Sequence, residues 1–504
     1  MRTSRKSATS LLLLIFLLLA GLSILPASAA EVPDPLLSEG RRLLKEEQPA
    51  EALKRFDALI EGRQHFVPAL FGAAEASALL EQPAAALAYY RQVEAAPEAN
   101  ADEKRRASFG AARMLVWLER YPEAESIYRR LLMTPLSEGD SQIARAGLMR
   151  TLALQDQPIS AYRSVPDDAA LDAAGRFERA RAALWAGWPE KAELLLEGIE
   201  TPPGSRLAKE VETLRRAMID TLGHPLNARF YFSADNDDLH TLKTDLMIGR
   251  RFSGSHALSL ILQIQHFSQR DRDLGMRGLQ GRYDGRFGDA LSFALQAGPA
   301  DYGDWRTTLS YGQIVYRPAD RFRMELSAGR EAVETFVSFD RQITLTSVSL
   351  GVDYSLNRRI ALVGVLYGQR FSDNNDRRGG IAKTVVVLSE QIGLSAQARL
   401  RFFESSRNDV EGYFNPSHFR EEQLLLNLKR ALKPDWRFEA LTGPGYQNIS
   451  GGDNGATWIV EGRLSARWIG CLSANALLGY TTSSISNPSG FEMTYGQLFV
   501  SCPW

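Results

Sequence analysis

Apolar and polar residues alternate with a period of two along much of the chain from about Asn227 to the C-terminus. Successive side chains of a β-strand point to opposite faces, so this alternation predicts strands with one apolar and one polar face. In one segment the apolar positions are Trp458, Val460, Gly462, Leu464, Ala466 and Trp468, and the residues between them include Glu461, Arg463, Ser465 and Arg467. The polar faces of these strands are therefore densely charged.

Four further segments repeat the pattern, with apolar residues at every second position of 258–264, 291–297, 322–328 and 394–402. A soluble β-sandwich also alternates, with its apolar side chains turned inward. Segments of about ten residues, charges of both signs on the polar face and aromatic residues at segment ends instead favour a transmembrane barrel. These aromatic residues are Trp436, Trp458, Trp468 and Tyr480. We therefore expect a β-barrel, and a soluble all-β domain is the alternative.

The turn signals divide this part of the chain, residues 223–504, into about sixteen strands. They begin near residues 227, 239, 256, 275, 290, 305, 321, 341, 359, 381, 394, 418, 436, 456, 472 and 491. Fourteen is the alternative count, because the stretches around Asp301 and Arg378 are ambiguous. Bacterial single-chain barrels have an even number of strands, and sixteen are enough to enclose an aqueous channel.

If the apolar face contacts lipid, the charged face must line the lumen, because a charge facing lipid near the bilayer midplane costs about 2–4 kcal/mol. The candidate lumen-lining residues are Arg323, Glu325, Arg399, Arg401, Glu461, Arg463 and Arg467. They are candidates for selecting a permeant. The simpler interpretation is that they are solvated or pair with one another across the lumen.

The C-terminus carries a second barrel signal. Leu498, Val500, Cys502 and Trp504 alternate up to a terminal aromatic residue, which resembles the signature recognised by the outer-membrane assembly machinery. Cys471 begins the penultimate strand and Cys502 nearly ends the last one, so a hairpin brings both to the same end of the barrel. Because the periplasm is oxidising, a disulfide is expected as one alternative. Two free thiols are the other.

The first 29 residues read as a secretory signal peptide. Basic residues at the start precede an apolar run from Leu11 to Leu25, and Ala27-Ser28-Ala29 is a cleavage site of the A-x-A type. The alternative is an uncleaved anchor helix. Beyond this segment no apolar run is long enough for a transmembrane helix.

Residues 30–222 have helical periodicity and repeat themselves. Pro49, Ala52 and Phe56 recur 34 residues later as Pro83, Ala86 and Tyr90, which is the period of a tetratricopeptide repeat. A further copy contains Pro122, Ala124 and Tyr128, a weaker one begins at Pro158, and a clearer one begins at Pro189. We expect about five helical hairpins in a short α-solenoid, and a generic helical bundle is the alternative. The fold class is therefore an α-solenoid followed by an antiparallel β-barrel.

Composition excludes several functions. The formal net charge is -1, so nothing indicates a nucleic-acid partner. Six histidines are scattered, and no spacing typical of a metal site, a nucleophile elbow or a phosphate-binding loop occurs. We expect neither catalytic residues, metal ligands nor a cofactor, and a barrel enzyme with a serine or histidine at its rim is the alternative.

A signal peptide, tetratricopeptide-like repeats and a C-terminal barrel together resemble the outer-membrane subunits that export cellulose, poly-N-acetylglucosamine and Pel polysaccharide. Residues 412–419, GYFNPSHF, look like an element that precedes a late barrel strand in those proteins, and Gly329-Arg330-Glu331 is more weakly similar. The resemblance implies a channel for a secreted polysaccharide in the outer membrane of a Gram-negative bacterium. It also implies periplasmic repeats that bind periplasmic or inner-membrane secretion proteins. Those exporters usually carry more than five repeats.

A short repeat domain on a barrel also resembles the surface-lipoprotein assembly modulators, whose barrels are smaller. That resemblance implies a lipoprotein client for the repeats in place of a polysaccharide. The sequence alone does not decide between polysaccharide export and the handling of a lipoprotein client.

Overall fold

The computed structural model describes residues 35–167, 169–433, 435–452, 454–468, 471–483 and 491–504, and the expected signal peptide lies outside these ranges. The chain divides into two compact units between Arg216 and Ala217. This division falls shortly before the expected boundary after residue 222, inside the last helix of the N-terminal region.

The first unit is built of helices that follow one another in hairpins. The helices described up to Leu222 are α1 (Pro35–Lys45), α2 (Pro49–Glu61), α3 (Phe66–Leu79), α4 (Pro83–Ala95), α5 (Ala101–Trp117), α6 (Tyr121–Leu132), α7 (Glu138–Leu154), α8 (Pro158–Arg163), α9 (Ala173–Ala186), α10 (Pro189–Leu196) and α11 (Arg206–Leu222). A proline occupies the first turn of the second helix in each hairpin, where its missing N–H leaves no helical hydrogen bond unmade. The helical region that the repeats predicted is confirmed, with a hairpin for each repeat.

Aromatic rings and glycines hold successive hairpins together. The pairs are Phe56 with Gly72, Tyr90 with Gly110 and Tyr128 with Gly147. A Cβ atom added at any of these glycines would lie 2.4–2.5 Å from a ring carbon. The three rings are buried, and so are the alanines four residues before each of them. The repeat therefore recurs because each hairpin inserts its ring into a glycine-lined gap on the next.

The second unit is a closed barrel of sixteen strands in the described residues. They are β1 (Leu226–Asp235), β2 (Leu239–Ser253), β3 (His256–Gln269), β4 (Arg272–Phe287), β5 (Leu291–Asp301), β6 (Arg306–Ala319), β7 (Phe322–Ala332), β8 (Thr344–Ser355), β9 (Ile360–Phe371), β10 (Asp376–Ser389), β11 (Leu394–Ser405), β12 (His418–Lys433), β13 (Trp436–Ile449), β14 (Gly455–Arg467), β15 (Ser473–Thr481) and β16 (Met493–Ser501). Each strand pairs antiparallel with its neighbours in sequence, and β1 pairs with β16 to close the barrel. The barrel and its strand count are as the alternation predicted.

The two ends of the barrel differ. Both termini of the barrel lie at one end, here named the terminal end, where the connections between strands are short. The opposite end, named the loop end, carries longer connections, including the β7–β8 loop (333–343), the β11–β12 loop (406–417) and the β15–β16 loop. The β7–β8 loop contains a short helix, α12 (Phe336–Asp340).

The outer face of the barrel is apolar. Leu258, Leu260, Leu262 and Ile264 of β3 are each 43–55% exposed, whereas the residues between them are more enclosed. The same contrast holds for Leu424 and Leu426 of β12. A soluble protein does not expose such a continuous apolar band, but a hydrocarbon bilayer covers it.

Aromatic residues border this band at both ends of the barrel. Trp436 and Trp468 lie at the terminal end and contact each other edge to face, with ring centroids 5.7 Å apart. Trp458 and Tyr480 lie near the loop end of β14 and β15. Such belts are typical of membrane–water interfaces. None of the helices in the described part of the chain is both long and apolar enough to cross a bilayer.

Candidate functional site in the barrel interior

Several contacts identify the inward face of the barrel, because each joins a strand to a strand or loop that is not its neighbour. The Arg401 guanidinium of β11 donates to Ser483 Oγ, which follows β15, over 2.7 Å. The Lys243 ammonium of β2 lies 2.6 Å from the Glu334 carboxylate of the β7–β8 loop. Tyr495 of β16 donates to Glu461 of β14. In a closed barrel such side chains can meet only in the lumen.

The structure places all seven candidate lumen-lining residues on this inward face. Arg323 pairs with Glu325 on its own strand and with Asp353 of β8 at 3.1 Å. In the register of the sheet, Arg463 lies opposite Glu439 of β13 and Leu477 of β15. Arg467 occupies the same face at the terminal end of β14, opposite Ser473 of β15. The seven therefore share one surface but are distributed over three parts of the wall.

Arg399 and Arg401 line an interior cavity of about 400 Å³. Strands β1, β11, β14, β15 and β16 all contribute to it, so it spans part of the lumen. The remaining lining residues are Tyr231, Ile459, Leu477, Thr481, Ser483, Met493, Tyr495 and Gln497. The cavity thus combines two guanidinium groups with phenol, amide and hydroxyl groups and an apolar strip.

A buried carboxylate anchors one side of the cavity. Glu421 of β12 is 1% exposed, and its carboxylate lies 2.9 Å from the Arg401 Nε atom. Gln423 and Thr457 donate further hydrogen bonds to it, at 3.1 and 3.0 Å. Because a carboxylate without partners is costly to bury, Arg401 has a structural role in addition to any contact with a permeant.

Charge is distributed unevenly around the lumen. Strands β10 to β14 form a part of the wall, here named the basic wall, in which inward-facing basic residues outnumber acidic ones by eight to three. The basic residues are Arg377, Lys383, Arg399, Arg401, Lys429, Arg437, Arg463 and Arg467, and the acidic ones are Glu421, Glu439 and Glu461. A wet lumen with this wall attracts anions.

The β7–β8 loop folds across the loop end of the lumen. Phe336 and Phe339 of α12 are buried in a cluster with Phe267 of β3 and with Tyr302 and Trp305 of the β5–β6 loop. Since β3 and β7 are separated by three strands, the loop must reach over the lumen to make these contacts. An ion pair between Arg272 and Asp340, at 2.5 Å, adds a polar contact at its outer side. This cluster narrows the lumen at the loop end.

The β11–β12 loop, which contains the GYFNPSHF segment, packs beside α12. The Gly412 carbonyl accepts hydrogen bonds from Thr335 and Ser338 at the start of α12. Gly412 has a φ of +113°, a conformation that favours glycine over any other residue. The segment that resembles an exporter element therefore holds the β11–β12 loop against the β7–β8 loop at the loop end of the barrel.

Tyr413 links the β11–β12 loop to the β9–β10 connection. Its ring stacks on Phe371 with centroids 4.2 Å apart, and its hydroxyl donates to the Asp373 carboxylate at 2.9 Å and accepts from Asn375. Burial is the main cause that raises the pKa of the Tyr413 hydroxyl, and the hydrogen bond to Asp373 raises it further, whereas that from Asn375 lowers it. The hydroxyl therefore stays protonated and can donate at neutral pH.

The two cysteines lie together at the terminal end. Cys471 precedes β15 and Cys502 follows β16, and the structure joins them in a disulfide. Among the described residues there is no group of three or more potential metal-ligating side chains.

Sequence reasoning missed several residues of the cavity, including Tyr231, Tyr495 and Gln497, and the buried Glu421 that pairs with Arg401 beside it. Tyr231 alternates with Phe230 and Phe232, so the parity rule could have placed it on the inward face. Glu421 lies between two charged residues of its strand and carries no such signal. The assembly of these residues around one cavity could not be inferred in this way, because it depends on which distant strands face each other across the lumen.

The closed sixteen-stranded barrel, its apolar outer band and its charged interior define an outer-membrane β-barrel protein. No protein-family model matches the chain, and no curated protein matches it in sequence. Among solved structures, a bacterial polysaccharide outer membrane secretin is similar with a TM-score of 0.47 and 12% identity, over 55% of this chain and 98% of that one. OccK5 (OpdH) of Pseudomonas aeruginosa has a TM-score of 0.32 and 12% identity, over 56% of this chain and 98% of its own.

CdiB from Acinetobacter baumannii is similar with a TM-score of 0.35 and 12% identity, over 55% of this chain and 60% of that chain. Similarities at this level concern the barrel fold alone. What this chain transports has to be argued from its own residues.

Proposed function

We propose that this protein is an outer-membrane channel that exports a hydrated polymer, namely an exopolysaccharide. The observation that carries the proposal is the polar inward face, with its charged and hydroxyl groups around a cavity, inside a closed barrel of sixteen strands. A hydrated polysaccharide must exchange its hydrogen bonds with water for others as it moves. Side chains such as those of Arg399, Gln497 and Thr481 offer that exchange without trapping the polymer in an apolar pore.

In this proposal the helical unit lies in the periplasm and binds periplasmic or inner-membrane secretion proteins. Two features support this arrangement. The first strand begins at the terminal end of the barrel, next to the C-terminus, as in barrels whose termini are periplasmic. Stacked helical hairpins also form the kind of extended surface that binds proteins.

The conductance of the purified, folded, full-length protein in planar bilayers tests the proposal. We expect an open channel with a preference for anions, because the basic wall lines the lumen. Changing Arg399 and Arg463 to glutamate should shift the ion selectivity towards cations, and Arg401 is left unchanged because it compensates the buried Glu421. Arg420→Glu and Arg430→Glu alter outward-facing positions of β12 and should leave the selectivity unchanged.

Two results would overturn the channel. One is the absence of conductance even after removal of the helical unit and the β7–β8 loop. The other is a selectivity that responds equally to the inward and outward substitutions.

The exported material is tested in the source bacterium. Deletion of the gene should abolish a surface polysaccharide and leave surface lipoproteins in place. Loss of a surface lipoprotein with the polysaccharide unchanged would support the alternative function, in which the repeats bind a protein client and the barrel translocates it.

A further inference from the structure

One of the two arginines that line the interior cavity differs from the other in its surroundings. The Arg399 Nε atom donates to the Gln423 amide oxygen at 2.6 Å, which holds the side chain in place. Neither terminal nitrogen of Arg399 has a hydrogen-bond or ion-pair partner among the residues that the structure describes. Arg401, by contrast, has Glu421 and Ser483 as partners. The cavity therefore presents one positioned guanidinium group whose two terminal nitrogens are free.

Such a group selects the chemistry of its ligand. The planar guanidinium donates two parallel hydrogen bonds to a carboxylate, and this geometry is stronger and more specific than a contact with a neutral hydroxyl group. Arg399 is held by Gln423, so little side-chain freedom remains to be lost when a ligand binds.

The opposite side of the cavity fits the body of a sugar ring. Tyr231 and Tyr495 supply aromatic rings, Leu477 supplies apolar contact, and the Gln497 amide can both donate and accept hydrogen bonds. Tyr495 already donates to Glu461, so its ring is held in position. A pyranose has apolar C–H faces and a rim of hydroxyl groups, which this combination matches. The volume of about 400 Å³ accommodates a short saccharide segment.

We infer that this cavity binds a carboxylate-bearing saccharide unit, with the carboxylate on the free end of Arg399 and the ring against Tyr231 and Tyr495. The inference rests on the proposed export function and narrows its substrate to an acidic polysaccharide of the uronic-acid class. An acidic peptide would use the arginine but would leave the aromatic and apolar side of the cavity without a matching partner.

Calorimetric titration of the folded full-length protein in detergent with oligogalacturonate tests the inference. We expect saturable binding to the unchanged protein and at least tenfold weaker binding to Arg399→Gln. Arg399→Lys should have an intermediate affinity, because lysine keeps the charge but cannot donate two parallel hydrogen bonds to a carboxylate. Arg229→Gln is the matched control, because Arg229 faces the same lumen on β1 but does not line the cavity. Its affinity should equal that of the unchanged protein. Heat-modifiable mobility in gel electrophoresis verifies that each variant is folded.

Four other outcomes would each overturn a different part of the inference. Equal binding of a neutral malto-oligosaccharide of the same length would refute carboxylate recognition, and equal binding of polyglutamate would refute saccharide recognition. Binding of monomeric galacturonate as tight as that of the oligomer would show a metabolite site in place of a polymer site. If no ligand binds while the bilayer conductance is intact, the acidic-saccharide site is wrong and the channel proposal stands. If conductance is absent as well, both are wrong.

Discussion

Neighbouring arginines in the lumen have different tasks because their partners differ. Arg401 compensates the charge of Glu421, which would otherwise be a buried carboxylate without a counterion. Removing one partner of such a pair is costly, commonly about 3–5 kcal/mol. Arg399 compensates no buried carboxylate at hydrogen-bond distance and is therefore better suited to a ligand. Substitutions at Arg401 should disturb the barrel, whereas substitutions at Arg399 should disturb binding.

The glycine–aromatic pairs of the helical unit allow a prediction about a single methyl group. In Gly110→Ala the new Cβ would lie 2.5 Å from the buried Tyr90 ring, and we expect a net destabilisation of about 1–3 kcal/mol from overpacking. Gly139→Ala is the control, because nothing lies within 4 Å of a Cβ there; alanine's higher helix propensity should leave stability unchanged or slightly increased. Urea unfolding followed by the helical circular-dichroism signal measures both variants. Equal midpoints would contradict the packing described for these hairpins.

The strands could be predicted from sequence because the alternation of apolar and polar residues within each strand marks its outward and inward faces. In β14 the alternation of Trp458 and Val460 with Glu461 and Arg463 contains both the strand and its orientation. The same signal is absent from the β7–β8 loop, whose five-residue helix is too short to show a period. Its burial depends on contacts with distant residues such as Phe267, which no local pattern encodes. The strands were therefore predictable, and the narrowed loop end was not.

The β7–β8 loop gives a prediction at the scale of one element. Changing Phe336 and Phe339 together to alanine removes the two buried rings that hold α12 in its cluster. Each substitution should cost on the order of 3–5 kcal/mol of packing free energy. We expect the loop to leave the lumen more often and the mean conductance in planar bilayers to rise. Val337→Ser changes a more exposed side chain of the same helix and should leave conductance unchanged. An unaltered conductance in the double variant would show that this loop does not limit the pore.

The whole barrel depends on the seam where its first and last strands meet, since an unclosed sheet would expose unpaired backbone groups to lipid. β1 and β16 pair along their full length, and the pairing continues past them. Cys502 donates its N–H to the Leu226 carbonyl at 3.0 Å, and His224 and Trp504 exchange two backbone hydrogen bonds at 2.7 and 3.1 Å. The disulfide from Cys502 to Cys471 ties this terminal segment to the turn before β15. The residues that follow β16 therefore extend the closure of the barrel beyond the paired strands.

Deletion of Trp504 should lower the amount of folded protein in the outer membrane, for two reasons that can be separated. The terminal aromatic residue resembles the assembly signal of barrel proteins, and its ring also packs on His224 with centroids 4.8 Å apart. His224→Ala removes the ring contact but keeps the terminal aromatic residue, so it distinguishes recognition from packing. If recognition dominates, the deletion should reduce the heat-modifiable outer-membrane form strongly while His224→Ala leaves its amount near normal. If packing dominates, both variants should assemble poorly to a similar degree. Full assembly of the deletion variant would contradict both roles, because neither the signal nor the last pair of seam hydrogen bonds would then be needed.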